Sequence, residues 1–447
     1  MLFRTEFPPG TSLARRFWYP PLRCAFFFVF SKLTYWRIRR VNKPDLKGSY
    51  IWSSSHSNFL GDVVVAGYET PVLVRFLAKA SLFVFPIKGF FEFCGALPLV
   101  RPGDQEKGES RQVQNRKSFS AAIDALKAGW PIAIYPEGSS VVGAGLFLPL
   151  KPGIAKLAFS AEEASNFSLG IKVIPVGLEY GSRAKIGSGL TIRYGAPIVV
   201  AKYREQYLEN EAAAVKSLME EITSQMISVF PHFLSDEQLN QGKKLFTSGL
   251  VDSKHEAAQL FLAQEKNENF WTEFKSELLQ FEEASKDASI PLTAWGQVKR
   301  WNERSTWRRF ARGFYLVMGI PLAVVEFFND ALAEKVVSTF VNYLAVDETE
   351  VMSFRFLGGP FFVIPVYLFQ FWLGKKYLFA EALHRSDIGI FFIYALSSMM
   401  LWYAMVHWRR LLASWASLWF FWRADEDSKA QAKRAYDQMK KRIVNLR

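Results

Sequence analysis

The chain has 447 residues, so its length permits a large catalytic core with additional segments. Half of the residues are hydrophobic, and 14 Trp, 16 Tyr and 41 Phe make the sequence rich in aromatic side chains, which excludes a globally disordered chain. Lys and Arg exceed Asp and Glu by 13, and a chain that is both apolar and basic is typical of proteins that bind anionic membrane surfaces or phosphorylated substrates.

Residues 1–47 mix basic and aromatic side chains, as in ArgArgPheTrpTyr at 15–19 and TyrTrpArgIleArgArg at 35–40. This mixture is typical of a segment that lies in the membrane interface, with its rings at headgroup depth and its cations toward phosphate. An ordinary helix that covers the core is the alternative. Pro8 and Pro9 precede any apolar stretch, and Arg23 interrupts the first one, so we do not expect a cleavable signal peptide.

Residues 48–200 alternate short β-rich runs with helical stretches, and Pro and Gly separate them. The predicted strands are 50–53, 72–76, 96–100, 132–135, 173–177 and 190–194, and the predicted helices are 114–128 and 153–160. This alternation predicts an α/β catalytic domain in which a mixed sheet is flanked by helices.

The rest of the chain lacks the strand pattern. Residues 201–300 are charged and helical, which predicts a solvated helical arm without assigned chemistry. Residues 301–447 form a predicted C-terminal membrane region, where 356–374 and 388–406 are each 19 residues without a charge. A helix of that length spans about 28 Å, close to the thickness of the hydrocarbon layer. The uncharged segment 313–325 is shorter and stops at Glu326, so we expect it to be buried or re-entrant.

The charges on either side of the two long runs predict a topology. Six Lys or Arg residues lie between 299 and 312, and the tail from Arg409 to Arg447 carries ten against four acidic residues. By the positive-inside rule both flanks belong on the cytoplasmic side, so we predict a hairpin of 356–374 and 388–406. A buried helical pair in a soluble domain is the alternative. The long uncharged runs also argue against a nucleic acid partner.

The run TrpSerSerSerHisSerAsnPheLeuGlyAsp at 52–62 follows the first strand of this domain. A histidine at a strand end, with a carboxylate six positions later, can have one ring nitrogen held by that carboxylate and the other free. Asp62 would then fix the tautomer while His56 removes a proton from an acceptor hydroxyl. A capping or structural His–Asp pair fits the same short pattern.

Two further strand ends carry polar groups. AlaIleTyrProGluGlySerSer at 133–140 ends a hydrophobic strand in a turn, where Gly138 permits close backbone approach and Glu137 can accept a hydrogen bond from a hydroxyl or orient a base. An ordinary β-turn is the alternative. GlyAlaLeuProLeuValArg at 95–101 places Arg101 after an apolar strand, where it can form a bidentate pair with phosphate or remain a surface residue.

Together these blocks resemble the glycerolipid acyltransferase family, whose members acylate glycerol-3-phosphate and lysophosphatidate. The family's His-to-Asp motif, Gly-to-Arg strand, Phe/Tyr-Pro-Glu-Gly-Thr/Ser turn and late Ile-Pro strand look like His56 to Asp62, Gly95 to Arg101, Tyr135 to Ser139 and Val173 to Gly177. All four occur in this order, and the resemblance covers roughly residues 40–200.

One spacing departs from the family pattern. The commonest form has four residues between His and Asp, whereas five intervene here and Gly61 occupies the expected position. A subset that resembles the fungal and bacterial enzymes acylating glycerol-3-phosphate or dihydroxyacetone phosphate has this longer spacing, with a start like His56-Ser57-Asn58. The departure concerns the detailed geometry of the His–Asp pair and not the class of enzyme that the resemblance implies.

The resemblance implies that His56 is the general base and Asp62 its orienter. It further implies substrate contacts at Asn58, Lys79, Arg101, Glu137, Gly138, Ser139 and Lys151. Within this set Arg101 would bind the acceptor phosphate, and Lys79 and Lys151 are further candidates for phosphate contacts.

The implied reaction is direct attack of an acceptor hydroxyl on an acyl thioester, acyl-CoA or acyl-ACP, which is a co-substrate; we expect no other cofactor. The sequence has no GxSxG nucleophile elbow, and neither Cys24 nor Cys94 has a base beside it. The five histidines are scattered, so we expect no metal site.

The resulting hypothesis is an integral membrane enzyme of phospholipid biosynthesis with a cytoplasmic catalytic domain, in the inner membrane of a bacterium or the endoplasmic reticulum of a eukaryote. The expected partners are a phospholipid membrane, the acyl thioester and a phosphorylated glycerol acceptor, and the oligomeric state stays open. One rival is an acyltransferase for lysophosphatidate or another lysophospholipid. A rival of another class is an inactive lipid-binding or scaffold protein.

Overall fold

The computed structural model describes residues 11–22, 31, 34–80, 83, 88–100, 111–138, 149–345, 347–377 and 387–446. These residues form two compact units. The sheet unit comprises Met1–Phe230 with Asp347–Ser353, and the helical unit comprises Pro231–Val346 with Phe354–Arg447. Two predicted site residues lie outside the described residues, Arg101 and Ser139. The same is true of Pro8, Pro9, Arg23 and Cys24.

The sheet unit contains the predicted mixed sheet. Its strands are β1 (Tyr35–Val41), β2 (Tyr50–Ser54), β3 (Arg75–Lys79), β4 (Ala96–Leu99), β5 (Ile132–Ile134), β6 (Lys172–Tyr180), β7 (Ser188–Tyr194) and β8 (Ile198–Val199). The order is β1-β7-β6-β2-β5-β3-β4, and β8 pairs with β6. The β6–β7 and β6–β8 pairs are antiparallel and the others are parallel. The α/β fold with a mixed sheet is therefore confirmed.

Helices flank this sheet. In the sheet unit they are α1 (Leu13–Leu22), α2 (Phe59–Glu69), α3 (Lys88–Phe93), α4 (Arg111–Lys127), α5 (Gly153–Glu163), α6 (Arg204–Glu209) and α7 (Glu211–Val229). Helix α7 buries Ala214, Leu218, Ile222, Met226 and Val229, spaced three or four residues apart, as a core-facing stripe requires. Gly177 of β6 lies so close to the Val229 backbone that a Cβ there would collide with it.

The strands differ from the sequence prediction in number and bounds: β1 and β8 were not predicted, β6 and β7 are longer than predicted, and β3 begins later. β1 lies inside 1–47, which was predicted to be an interfacial segment, and pairs in parallel with β7. The sequence hides this strand because it is at the sheet edge, where basic side chains on one face meet solvent and break the apolar alternation. β3 begins at Arg75 rather than at residue 72, since Arg75 is the first residue in register with β5.

The helical unit continues with α8 (Asp236–Ser248), α9 (Lys254–Ala263), α10 (Glu268–Asp287), α11 (Leu292–Asn302), α12 (Thr306–Leu344), α13 (Glu348–Tyr377), α14 (Asp387–Arg423) and α15 (Glu426–Asn445); the first turn of α13 belongs to the sheet unit. Among the described residues, two helices are long and apolar enough to cross a membrane, Thr306–Leu344 and Ile388–Arg423. The predicted span 388–406 lies in the second, whereas 356–374 lies in α13.

The segment 313–325 is not a short helix that ends at Glu326. It belongs to α12, which continues for 39 residues. Glu326 is buried within this helix, where Arg409 of α14 donates to its Oε2 at 3.1 Å. Local hydropathy could not indicate this contact, because the two residues are 83 positions apart in the chain.

Candidate active site

His56 lies just beyond the carboxyl end of the buried strand β2. A tight turn follows, in which the Gly61 amide donates to the Asn58 carbonyl at 2.7 Å and Phe59 adopts a left-handed φ of 40°. The turn accommodates the five residues between His56 and Asp62 and starts α2, so that Asp62 lies in the first turn of the helix. His56 Nδ1 is consequently 3.0 Å from Asp62 Oδ2.

The Asp62 carboxylate is fully buried and accepts hydrogen bonds from three sides. Besides the imidazole, the main-chain N–H of Asn58 donates to Oδ2 at 2.7 Å and the Tyr180 hydroxyl donates to Oδ1 at 2.5 Å. Burial and the neighbouring Asp62 raise the pKa of Tyr180 well above its ordinary value, so this phenol remains a donor. With the carboxylate fixed, Nδ1 carries the proton and Nε2 can act as the base.

Glu137 holds the backbone of the same histidine. Its Oε2 accepts from the His56 main-chain N–H at 2.7 Å, and the side chain is buried. Gly138, at φ 76°, follows it, and a Cβ there would collide with the Lys151 ammonium. The Lys151 amide in turn donates to the Pro136 carbonyl at 2.8 Å. The 136–138 turn therefore lies against both His56 and Lys151.

The imidazole of His56 stacks on Tyr135, with ring centroids 4.3 Å apart and an angle of 21° between the planes. The side chain of His56 is 11% exposed. Burial and Asp62 raise the pKa of Tyr135 well above its ordinary value. Within the described residues the hydroxyls of Ser55, Ser57 and Tyr135 are buried without a hydrogen-bond partner. These three hydroxyls belong to residues that are adjacent to His56 in the chain or stacked on its ring.

The structure brings most of the predicted site residues together, through the contacts given above: His56, Asn58, Asp62, Glu137, Gly138 and Lys151. Lys79 is exposed at the end of β3, and since β2, β5 and β3 run parallel, it lies at the same carboxyl edge of the sheet. Cys94 is buried, and burial raises its thiol pKa to about 12, which keeps it protonated. Among the described residues, no group of three His, Cys, Asp or Glu side chains is placed to hold a metal ion.

Sequence reasoning missed the tyrosines around the pair. Tyr180 is 118 residues from Asp62 in the chain, and Tyr35, which accepts from Asn58 Nδ2 at 2.8 Å, lies 23 residues before Asn58. Their rings are 5.3 Å apart. Only strand pairing brings them together, so no local pattern could have indicated them.

Comparison with known proteins agrees with this arrangement. Residues 36–179, which include His56, Asp62 and Glu137, match the acyltransferase family model. Glycerol-3-phosphate O-acyltransferase 2 of Saccharomyces cerevisiae is 35% identical over 121 residues, or 27% of this chain and 16% of that protein. Glycerol-3-phosphate O-acyltransferase 1 of the same yeast is 34% identical over 103 residues, or 22% of this chain and 13% of that protein.

The similarity to these relatives is thus confined to less than a fifth of their length. A crystal structure of the 1-acyl-sn-glycerophosphate (LPA) acyltransferase PlsC from Thermotoga maritima aligns with 47% of this chain and 81% of its own, with a TM-score of 0.31 and 18% identity. The family model matches the part of the chain that holds the His56–Asp62 pair. The chain thus contains a match to an acyltransferase domain at residues 36–179, and part of it is similar to two yeast glycerol-3-phosphate O-acyltransferases.

Proposed function

We propose that the protein is a membrane-bound acyltransferase of phospholipid biosynthesis. It transfers a fatty acyl group from an acyl thioester, acyl-CoA or acyl-ACP, to a hydroxyl of glycerol-3-phosphate or dihydroxyacetone phosphate. The observation that carries this proposal is the 3.0 Å contact between His56 Nδ1 and a fully buried Asp62. Such a pair leaves Nε2 as a base for a substrate hydroxyl.

In this mechanism the acceptor hydroxyl loses its proton to His56 Nε2 as its oxygen attacks the thioester carbonyl carbon. Asp62 stabilises the imidazolium that forms, because its carboxylate already accepts from Nδ1. The tetrahedral intermediate then collapses, the carbon–sulfur bond breaks, and the imidazolium returns the proton to the leaving thiolate. The acyl group goes directly to the acceptor, and no covalent acyl-enzyme forms.

Glu137 is assigned a positioning role in this proposal. Its contact with the His56 main-chain N–H supports a function in holding the base rather than in touching substrate. The acceptor phosphate would be bound by Arg101, with Lys79, Lys151, Asn58, Gly138 and Ser139 completing the substrate contacts. The position of Lys151 against Gly138, next to the residue that holds His56, supports its part in this set.

The acceptor is proposed from the two yeast relatives, whose names specify glycerol-3-phosphate. The full chain, purified in detergent, would be assayed with palmitoyl-CoA and glycerol-3-phosphate, dihydroxyacetone phosphate or lysophosphatidate. We expect acylation of one of the first two. Acylation of lysophosphatidate alone would replace the acceptor and keep the mechanism, whereas no transfer to any of the three would favour an inactive lipid-binding protein.

The base is tested in the same assay by His56→Ala. Loss of a general base lowers turnover by about 10² or more, and we expect thermal stability to change little. His255→Ala, a histidine of α9 in the helical unit, is the matched control and should retain full activity. Full activity of His56→Ala would overturn the mechanism.

A further inference from the structure

Residues 299–312 are strongly basic and immediately precede an apolar segment. Within this stretch six Lys or Arg residues are accompanied by a single acidic one, Glu303, and the uncharged segment 313–325 of α12 follows. Basic residues at the start of an apolar helix lie at the depth of lipid headgroups when the helix enters a bilayer. The stretch belongs entirely to the helical unit, whereas His56 belongs to the sheet unit.

The chain turns sharply in this stretch, and Arg309 holds the turn. Its guanidinium donates to the carbonyl oxygens of Trp301, Asn302 and Arg304, each at 3.1 Å. The Trp301 and Asn302 carbonyls end α11 and the Arg304 carbonyl follows it, so the end of one helix is fixed to the start of the next. The guanidinium of Arg309 is therefore already bound by carbonyl oxygens of the protein itself.

Arg312 faces the third helix of the junction, α14. It shares a face of α12 with Leu316 and Gly319, which are four and seven residues further on. Trp408 of α14 donates from Nε1 to the Leu316 carbonyl at 2.9 Å and packs against Gly319. Three segments therefore lie around the same region: the end of α11, the start of α12 and residues 407–422 of α14.

The positive charge in this region comes from Arg300, Arg304 and Arg312, and no ion pair among the described residues neutralises it. No acidic side chain of the described residues forms an ion pair with any of the three within 4 Å, whereas the nearby Lys299 pairs with Asp252 at 2.8 Å. Burial, followed by repulsion from Arg312 and Arg300, lowers the pKa of Arg304, and Glu303 offsets this only in part. Arg304 and Arg312 are half-buried and Arg300 is exposed. A partly buried group of like charges is stabilised by an anion.

The neighbouring aromatic side chains offer one more donor. The rings of Trp301, Trp415 and Trp422 are 5.1–6.0 Å apart. Trp415 Nε1 is buried and has no acceptor among the described residues, and its ring lies beside Gly313, the residue after Arg312. An indole N–H can only donate, so it suits the same kind of ligand as the arginines.

We propose that Arg300, Arg304, Arg312 and the Trp415 indole N–H bind the phosphate-bearing headgroup of an anionic phospholipid. Guanidinium groups bind phosphate through paired N–H donors. The ligand is a lipid rather than free phosphate because α12 beyond Gly313 exposes Val317, Met318 and Ile320, each more than half exposed, which would contact its acyl chains. This site is independent of the proposed acyl transfer.

The test uses the full chain in detergent and native mass spectrometry. Phosphatidylglycerol and phosphatidylcholine with the same acyl chains are compared, and we expect preferential binding of phosphatidylglycerol. Arg304→Gln combined with Arg312→Gln should weaken phosphatidylglycerol binding about 30-fold and leave phosphatidylcholine binding unchanged. Lys433→Gln, which removes one exposed charge from α15, is the control and should bind like the wild type.

Three further measurements keep the result interpretable. Arg304→Lys with Arg312→Lys should retain most of the affinity, and Trp415→Phe, which keeps every charge, should lose several-fold. His56→Ala should bind lipid normally, which separates this site from catalysis. Equal binding of the two lipids, or unchanged selectivity in the double Gln variant, would overturn the proposal; displacement of the lipid by inorganic phosphate at equal concentration would overturn the choice of a lipid ligand.

Discussion

The hydrogen bond from the Tyr180 hydroxyl to Asp62 helps to hold the carboxylate in place. The His–Asp pair is therefore positioned and not merely close. Tyr180→Phe removes the donor to Oδ1, together with a hydrogen bond to Tyr35, and leaves the Asn58 main-chain N–H and the imidazole on Oδ2. We expect turnover in the acylation assay to fall about tenfold, corresponding to roughly 1.4 kcal/mol, with little change in KM, because orientation of the base is affected rather than substrate binding.

Tyr203→Phe is the matched control, since it also removes a tyrosine–carboxylate hydrogen bond, to Glu221, elsewhere in the sheet unit. Turnover of this variant should equal that of the wild type. If Tyr180→Phe behaved like Tyr203→Phe, the hydroxyl on Asp62 would have no role beyond packing.

Side chains that are near one another in the chain could be assigned to the site from the residue pattern alone, whereas distant ones such as Glu137 were expected there from the family resemblance. His56 and Asp62 are six residues apart, and one turn and the start of α2 are enough to bring them together. Glu137 was expected at the site, but its contact with the His56 backbone follows from the parallel pairing of β2 and β5, which no local pattern encodes.

At the scale of elements, a buried ion-pair group attaches the edge strand β1 to the end of α2. Glu69 has a fully buried side chain that Arg40 of β1 contacts through Nε and Nη2, Lys43 contacts at 2.9 Å and the Tyr194 hydroxyl of β7 contacts at 2.9 Å. Burial alone would raise the pKa of Glu69, but the hydrogen bonds and charges of Arg40 and Lys43 hold it below its ordinary value.

This lowered pKa predicts a pH-dependent stability. The stabilisation is fully present above the unfolded-state pKa of roughly 4.3 and is lost as the pH falls through the lower folded-state value. Glu69→Gln should destabilise the protein at pH 7 by about 2–3 kcal/mol, and its deficit against the wild type in thermal unfolding should shrink near pH 3. Glu220→Gln, in an exposed pair with Lys216, should show no such deficit. A deficit of equal size at both pH values would contradict the assignment.

At the scale of the whole molecule, the number of membrane crossings can be decided by cysteine labelling in a background that lacks Cys24 and Cys94. A hairpin of 356–374 and 388–406 exposes only Ser386→Cys to a membrane-impermeant reagent on the outer side, and Ser428→Cys stays protected. Crossing by α12 and α14 alone would expose Thr349→Cys as well as Ser386→Cys. We expect the hairpin pattern; labelling of Ser428→Cys on the outer side would contradict both topologies.

Helix α2 is attached at its two ends to the two strands of one antiparallel pair. Asp62 near its start is bonded to Tyr180 of β6, and Glu69 at its end to Tyr194 of β7. Moderate heating that loosens these two tyrosine contacts would let the helix tilt and widen the gap between the carboxylate and the imidazole while the strands remain paired. We therefore expect the enzyme to lose turnover reversibly several degrees below the temperature at which its circular dichroism signal disappears.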